Sequence, residues 1–321
     1  MRRRFAAGSL IAALCVAGGL PSGCGKDEPS GAPGAKKPRI ALVMKSLANE
    51  FFKTMEDGAR AHQQARAGTY ELVCNGIKDE QDVQRQMTIV EHMIAQQMDA
   101  IVIAPADSKA IVPVCKRALD AGIVVVNIDN KFDAGVLADK GVTIPFVGPD
   151  NRRGARLAGE HLAGKLTKGD KVAIVEGRPN AFNGIQRKLG FEDAMKAAGM
   201  VIVSSQSGYW ETEPARKVVG GIITQNPDLK AVLCANDSMA LGAVSALKTV
   251  GRLDDVLVVG YDNISAVQQL MKDGRVLCTI DQHADQIAAF GIEYALEILG
   301  GKATPADKET PVDLITAEQL K

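Results

Sequence analysis

The chain has 321 residues, a length that suits two domains of ordinary size rather than one small core. Lys plus Arg and Asp plus Glu are equal, at 38 each. The chain therefore lacks the basic excess that concentrates nucleic acid, and we expect no nucleic-acid partner.

The N-terminus has the pattern of an export signal. Three arginines at 2–4 precede an apolar run over 5–20, and two small residues stand before Cys24. A small residue before a cysteine is typical of bacterial lipoprotein cleavage sites, in which the cysteine carries the lipid. Pro21 departs from that pattern. We predict a signal peptide over 1–23, with lipid on Cys24 or simple cleavage nearby as the two outcomes, and export to the periplasm in both.

Residues 24–38 are rich in Gly, Pro and charge and predict a flexible spacer. No later segment has the ~18 continuous apolar residues of a membrane span, so we expect membrane attachment through the lipid alone. After the spacer, short aliphatic runs alternate with amphipathic stretches, which predicts an α/β fold with parallel strands buried on both faces. The runs cover 40–44, 70–74, 100–104, 124–128, 172–175, 201–204, 231–235, 256–260 and 276–280.

The predicted helices span 52–67, 81–98, 111–121, 152–166, 185–198, 213–224 and 238–250. Gly122, Gly199 and Gly251 follow three of them as helix stops. The character of the chain changes near 147–151, which indicates two strand-helix units. Ligands of open α/β sheets bind at the carboxyl ends of strands, so the residues after each run are the candidate site.

Carboxylates, amides and aromatics stand at these strand ends. They can hydrogen-bond hydroxyl groups and cover the apolar face of a ring, which favours a neutral polyhydroxylated ligand. A structural interpretation stays open for several: Asp237 as a helix cap, Asp129 and Asn130 as a turn, and Phe51 and Phe52 as core residues. The set comprises Lys45, Asn49, Phe51, Phe52, Asp129, Asn130, Asn236, Asp237, Tyr261, Asp262, Asn263, Asp281 and Gln282.

Four segments resemble the periplasmic binding proteins for monosaccharides, especially the ribose and allose types. They are IALVMKSLANEFFKTMEDGA, ANDSMALGAVSAL, VLVVGYDN and CTIDQ, in that order. The resemblance implies two doubly wound parallel-sheet lobes joined by a three-segment hinge. It assigns 39–148 and 283–311 to the N-terminal lobe, and 149–282 and 312–321 to the C-terminal lobe. It also implies a sugar enclosed between the lobes and delivery to an ABC transporter permease.

The same resemblance implies roles for individual residues. Asn49, Phe51 and Phe52 match the loop that covers one sugar face, and Trp210 matches an aromatic on the other face. The hydrogen-bonding positions match Asp129, Arg187, Asn236, Asp262 and Gln282.

Three positions depart from the ribose type. Asn130 stands where those proteins carry arginine, Ala104 replaces a polar side chain, and Lys45 is similar to the allose type. Together with the long loop over 131–145, they favour a hexose or a polyol of similar size over ribose.

Three other classes of protein share parts of this pattern. A glycosidase could use Asp129 and Asp262 as paired carboxylates, but we expect Arg187 and Lys45 to keep both ionised. A sugar-responsive transcription regulator would begin with a helix-turn-helix rather than a signal. A sensor that presents ligand to a chemoreceptor or kinase would use the same fold, and this alternative stays open.

No cofactor or metal is expected. Neither GxGxxG nor GxxxxGK[ST] occurs, and the four histidines show no ligand spacing. We also expect a monomer. The cysteines after the lipid position are expected to be buried free thiols: Cys74, Cys115, Cys234 and Cys278.

Overall fold

A computed structural model describes residues 36–320. The predicted signal peptide, Cys24 and most of the predicted spacer lie outside the described residues. Within the described part, no helix is both long enough and apolar enough to cross a membrane.

The first sheet has six strands in the order β11-β5-β4-β3-β1-β2, and all of its pairs are parallel. Side chains along β1 alternate between two core clusters: Ile40, Leu42 and Met44 face one, and Ala41 and Val43 face the other. Burial on both faces explains the unbroken aliphatic runs. The strands are β1 (Arg39–Met44), β2 (Glu71–Gly76), β3 (Ala100–Ile103), β4 (Val124–Ile128), β5 (Phe146–Pro149) and β11 (Lys308–Thr310).

The second sheet also has six strands, in the order β12-β10-β9-β8-β6-β7. Its pairs are parallel except that β12 runs antiparallel to β10 at the edge. The strands are β6 (Lys171–Glu176), β7 (Val201–Ser207), β8 (Leu229–Cys234), β9 (Leu257–Val259), β10 (Cys278–Asp281) and β12 (Asp313–Thr316).

Helices connect the strands of both sheets. Gly122, Gly199 and Gly251 follow α3, α6 and α8 with φ of 80°, 72° and 68°, so the predicted stops are confirmed. The helices are α1 (Glu50–Ala65), α2 (Val83–Ala95), α3 (Val112–Asp120), α4 (Ala134–Asp139), α5 (Asn151–Ala163), α6 (Phe182–Ala197), α7 (Thr212–Gln225), α8 (Asp237–Thr249), α9 (Ser265–Lys272) and α10 (Ala284–Leu299).

The chain passes between the two sheets three times. It leaves the first sheet after Pro149, returns after β10 with α10 packed on α1, β3 and β4, and leaves again between β11 and β12. We call the part around the first sheet the N-lobe and the part around the second sheet the C-lobe. β5 ends at Pro149, one residue beyond the predicted boundary.

Two local predictions need correction. Strand β2 begins at Glu71 and continues to Gly76, and the segment 131–145 is not one loop because it contains α4. Asp133 caps α4 by accepting from the backbone N–H of Val136 at 2.9 Å, which explains why a short helix forms there.

Candidate ligand-binding site

A small cavity lies between the lobes at the carboxyl ends of the strands. Six lining residues come from the N-lobe, five from the C-lobe, and Gln282 stands where the chain returns between them. The lining residues are Lys45, Asn49, Phe51, Phe52, Glu80, Asp129, Asn183, Arg187, Trp210, Asn236, Asp262 and Gln282.

Ten of the eleven predicted ligand residues line this cavity, and Asn130 does not. Asn130 is fully buried and its amide nitrogen donates to the carbonyl of Pro105 at 2.9 Å. The neighbouring Asp129, with a φ of 60°, lines the cavity instead. Ala104 is also absent from the lining, so two of the three departures from the ribose type lie outside the cavity wall.

Glu80 and Asn183 line the cavity and were missed. Glu80 lies four residues beyond the end of β2, and Asn183 lies in the first turn of α6. The signal for Glu80 was present, because a charged residue shortly after a strand of the parallel sheet belongs to the same edge of that sheet. Asn183 carried no comparable signal, since it follows a loop rather than a strand end.

Asp237 does not cap α8. The cap is Asn236, whose side-chain oxygen accepts from the backbone N–H of Met239 at 2.9 Å. Asp237 is the first helical residue, and its carboxylate accepts from the Thr279 hydroxyl at 2.8 Å and the Ile264 N–H at 2.9 Å. Asp237 therefore ties the start of α8 to strand β10 and to the segment after β9.

Lys45 lies between two carboxylates. Its ammonium nitrogen is 3.3 Å from Glu80 Oε2 and 3.3 Å from Asp129 Oδ2, with all three side chains almost inaccessible to solvent. Burial opposes the charge on Lys45, but Asp129 and Glu80 outweigh it, and the pKa of Lys45 is raised. Lys45 is thus protonated and can donate to an oxygen in the cavity.

Arg187 is held rigidly from four sides. Its Nε donates to Asn151 Oδ1 at 2.8 Å, and one terminal nitrogen donates to the Ala235 carbonyl at 2.9 Å and to Asp262 Oδ1 at 3.2 Å. The guanidinium carbon lies 3.7 Å from the centre of the Tyr261 ring. These contacts preorganise the arginine against the cavity.

The expectation that neighbouring cations keep Asp262 ionised is wrong for this structure. Burial raises the pKa of Asp262 to about 8, and the opposing effect of Arg187 does not offset it. Gln282 Nε2 also donates to Asp262 Oδ1 at 2.8 Å. Asp262 is therefore protonated more readily than a solvent-exposed aspartate.

Aromatic rings from both lobes border the cavity. Phe51 and Phe52 pack edge to face with ring centres 5.1 Å apart, and Trp210 lies in the opposite lobe. The Lys45 ammonium is 5.8 Å from the ring centres of both Phe52 and Trp210. The phenylalanines are buried like core residues and also line the cavity, so both interpretations of these rings apply.

Two buried polar atoms of the lining, Trp210 Nε1 and Gln282 Oε1, have no hydrogen-bond partner among the described residues. Asp129 Oδ2 also forms no hydrogen bond there, but it contacts the Lys45 ammonium at 3.3 Å as an ion pair. Buried polar groups are ordinarily paired, and an unpaired group costs ~1–3 kcal/mol. The cavity thus presents one donor, Trp210 Nε1, and one acceptor, Gln282 Oε1, to a polar ligand.

Backbone strain concentrates around the same cavity. Within residues 36–320, eight non-glycine residues have positive φ, and all but Gln97 either line the cavity or adjoin a residue that does. Asp129, Trp210 and Asp262 are the lining members, with φ of 60°, 70° and 121°. Such conformations cost of order 1–3 kcal/mol each and cluster at functional sites.

The lobes are in contact around the cavity. Arg178 of the C-lobe donates to the Glu80 carbonyl of the N-lobe at 2.7 Å, and Ser108 of the N-lobe donates its backbone N–H to the Asn180 carbonyl at 3.3 Å. The structure is therefore a closed arrangement.

Residues 40–303 match the family model described as the periplasmic binding protein domain. The chain belongs to the periplasmic binding protein family. It is a solute-binding protein rather than an enzyme, so the glycosidase alternative is excluded. The predicted fold of two lobes, each with a mostly parallel sheet flanked by helices, is confirmed.

Three family members are especially similar. A D-ribose/D-allose-binding protein of Pseudomonas aeruginosa is 56% identical over 98% of this chain and 99% of its own. The structure of an ABC transporter solute-binding protein from Burkholderia multivorans has 55% identity and a TM-score of 0.86, and covers 88% of this chain and 100% of its own. An Actinobacillus succinogenes solute-binding protein with bound D-allose has 37% identity and a TM-score of 0.84, covering 88% and 99%.

Proposed function

We propose that this protein captures a neutral monosaccharide between its two lobes and delivers it to an ABC transporter permease. The observation that carries the proposal is the composition of the cavity. Polar side chains that can hydrogen-bond sugar hydroxyls lie between aromatic rings from opposite lobes. The periplasmic binding protein family supports the transport role.

The charges in the cavity argue against anionic sugars. Two cationic side chains, Lys45 and Arg187, face three carboxyl groups, Glu80, Asp129 and Asp262. Both cations already lie within 3.3 Å of a carboxyl oxygen, so neither is free to neutralise a phosphate or a sugar acid. A neutral sugar needs no such charge.

We propose a hexose of the allose type as the preferred ligand, with ribose as a weaker competitor and similar polyols as further candidates. Lys45, one of the three departures from the ribose type, lies in the cavity wall. The relative from P. aeruginosa is named for both D-ribose and D-allose, and a neighbouring structure holds D-allose. Asn130 and Ala104 do not line the cavity, so they give no support to a preference for a hexose.

Binding is proposed to work through closure. Each lobe alone offers about half of the contacts, so a sugar held by both favours the closed state by its extra affinity for that state. A permease that recognises the closed protein would then distinguish loaded from empty molecules. A sensor that presents the same closed form to a chemoreceptor or kinase is the alternative, which deletion strains separate by loss of uptake or loss of response.

For the exported form we propose cleavage after residue 23, a lipid on Cys24, attachment to the membrane through that lipid, and a monomeric state. The periplasmic binding protein family supports export to the periplasm. The mass of the exported chain distinguishes a lipidated Cys24 from simple cleavage, and light scattering gives its oligomeric state.

The proposal is tested by thermal unfolding with a panel of aldohexoses, aldopentoses, inositols, sugar alcohols and sugar phosphates, followed by calorimetry. Millimolar sugar over a micromolar site should stabilise the folded protein by about 4 kcal/mol. We expect D-allose to stabilise most and sugar phosphates not at all.

The matched variants are Asp129→Asn in the cavity and Asp139→Asn on the exposed end of α4. Losing a charge-assisted hydrogen bond of ~1.5–3 kcal/mol should weaken the affinity of the Asp129 variant at least tenfold, while the Asp139 variant binds normally. Stabilisation by no neutral sugar, or equal binding by both variants, would reject the proposal.

A further inference from the structure

Helix α6 carries Arg187 into the cavity but has no cap from its own lobe. Its N-cap residue is Ala181, whose side chain cannot accept a hydrogen bond. The first N–H groups of any helix lack partners within the helix, so those of Phe182 and Asn183 need acceptors from elsewhere. The α6 sequence by itself leaves them unpaired.

The N-lobe supplies these acceptors across the cleft. The N–H of Phe182 donates to Ser108 Oγ at 3.0 Å, and the N–H of Asn183 donates to Asn130 Oδ1 at 3.2 Å. Ser108 Oγ also donates to Asn130 Oδ1 at 3.3 Å, and Asn130 is oriented by its bond to the Pro105 carbonyl. Each cap joins a donor in the C-lobe to an acceptor in the N-lobe. The caps therefore depend on the relative position of the lobes.

Helix α9 repeats the arrangement. Its N-cap residue, Ile264, has no side-chain acceptor, and the N–H of Ser265 donates to Glu50 Oε1 of the N-lobe at 2.8 Å. By contrast, α5 and α8 of the same lobe are capped by their own residues, Asp150 and Asn236. Two C-lobe helices that begin at the cleft thus depend on N-lobe side chains.

We propose that Ser108, Asn130 and Glu50 cap C-lobe helices in trans, so that helix capping contributes directly to lobe closure and holds Arg187 in place. The inference rests on the proposed sugar-driven closure. When the lobes part, the helix N–H groups lose these acceptors, and closure restores them. Asn130 is therefore a positioning residue that acts on the closed state, in place of the direct ligand contact predicted from its sequence position.

The test uses the purified protein, D-allose and D-ribose. A helix cap contributes ~1 kcal/mol, so Ser108→Ala and Asn130→Ala should each weaken binding about fivefold, and by the same factor for both sugars. A residue that touched the ligand would change the ratio between the sugars. The melting temperature of the sugar-free Ser108→Ala protein should stay unchanged, because its cap on α6 forms only when the lobes close. Asn130→Ala also loses the hydrogen bond to the Pro105 carbonyl within the N-lobe, so its sugar-free form should melt at a lower temperature.

A cap supplied within the C-lobe gives a sharper test. Ala181 has extended backbone angles suited to an N-cap, so Ala181→Ser can cap α6 whether the lobes are open or closed. An N-cap side chain accepts from the second or third N–H of its helix, so a serine at 181 would supply the acceptor that Asn130 now gives to Asn183. In the Ala181→Ser background the effect of Asn130→Ala on binding should shrink to less than twofold. For α9, Glu50→Ala should weaken binding and Glu50→Gln, which keeps an acceptor oxygen, should restore most of it.

Asp133→Ala is the control, since Asp133 caps α4 with donor and acceptor in one lobe. It should lower the melting temperature without changing sugar affinity. If the native protein binds no sugar, the proposed function fails and takes this inference with it. If the native protein binds and Ser108→Ala and Asn130→Ala bind equally well, the inference alone is overturned. If Ser108→Ala lowers the melting temperature of the sugar-free protein as much as Asp133→Ala does, the role of Ser108 is purely structural and the inference is also overturned.

Discussion

At the scale of single residues, burial decides the chemistry of the site. Asp262 adjoins a cation, yet its removal from water raises its pKa to about 8. The sequence contains the cation, Arg187, but does not show how deeply Asp262 is buried. The same limit explains Asn130, whose backbone neighbour Asp129 lines the cavity while its own side chain faces the lobe interface.

The raised pKa predicts a pH dependence of stability. An unfolded Asp titrates near ~3.9, so between that pH and about 8 the folded protein binds more protons at Asp262 than the unfolded chain does. The free energy of unfolding therefore decreases as pH rises through this window, because the folded protein holds a proton on Asp262 that the unfolded chain releases. Asp262→Asn should lose less stability between pH 5.5 and 7.5 than the native protein does.

The measurement is the melting temperature of both proteins, without sugar, at the two pH values. Asp237, whose pKa burial raises to about 6, contributes to both proteins alike. Asp139→Asn, on an exposed helix end, should reproduce the native pH dependence. An identical decrease for the Asp262 variant and the native protein would show that this carboxyl is ionised throughout the window.

At the scale of elements, the aliphatic runs predicted the buried strands because parallel strands covered on both faces admit few polar residues. The short strands β5, β11 and β12 escaped prediction because their sequences, FVGP, KET and DLIT, are not continuous aliphatic runs. Strand ends indicated most of the candidate site, and Arg187 and Trp210 followed from the family resemblance. Asn183 required knowing how α6 meets the cleft.

The junction after β6 gives a prediction at this scale. Gly177 lies beneath the Trp210 ring, and a Cβ there would come within 2.1 Å of the indole. Gly177→Ala should push the ring toward the cavity and weaken sugar binding at least tenfold.

Gly220→Ala on α7 is the matched control, because nothing lies within 4 Å of its added Cβ. It should leave binding unchanged and raise the melting temperature slightly, as expected for Gly to Ala within a helix. Calorimetry and thermal unfolding of both variants check the pair. Normal affinity in the Gly177 variant would show that the Trp210 position does not matter for the ligand.

At the scale of the whole molecule, three chain crossings join two lobes whose facing edges complete one cavity. Neither lobe contains the full set of polar groups, and two C-lobe helices take their caps from the N-lobe. Ligand capture and lobe closure are thus one event in this account. The sequence predicted the two units and their shared site, but the contacts between the lobes depend on their relative orientation, which no local pattern records.

A crystal structure with D-allose would show whether both lobes enclose a neutral sugar at once. We expect one sugar ring bordered by Phe52 and Trp210, with hydroxyls within hydrogen-bond distance of Asp129 in the N-lobe and Arg187 in the C-lobe. A sugar that contacted one lobe only, or bound outside this cavity, would contradict this expectation.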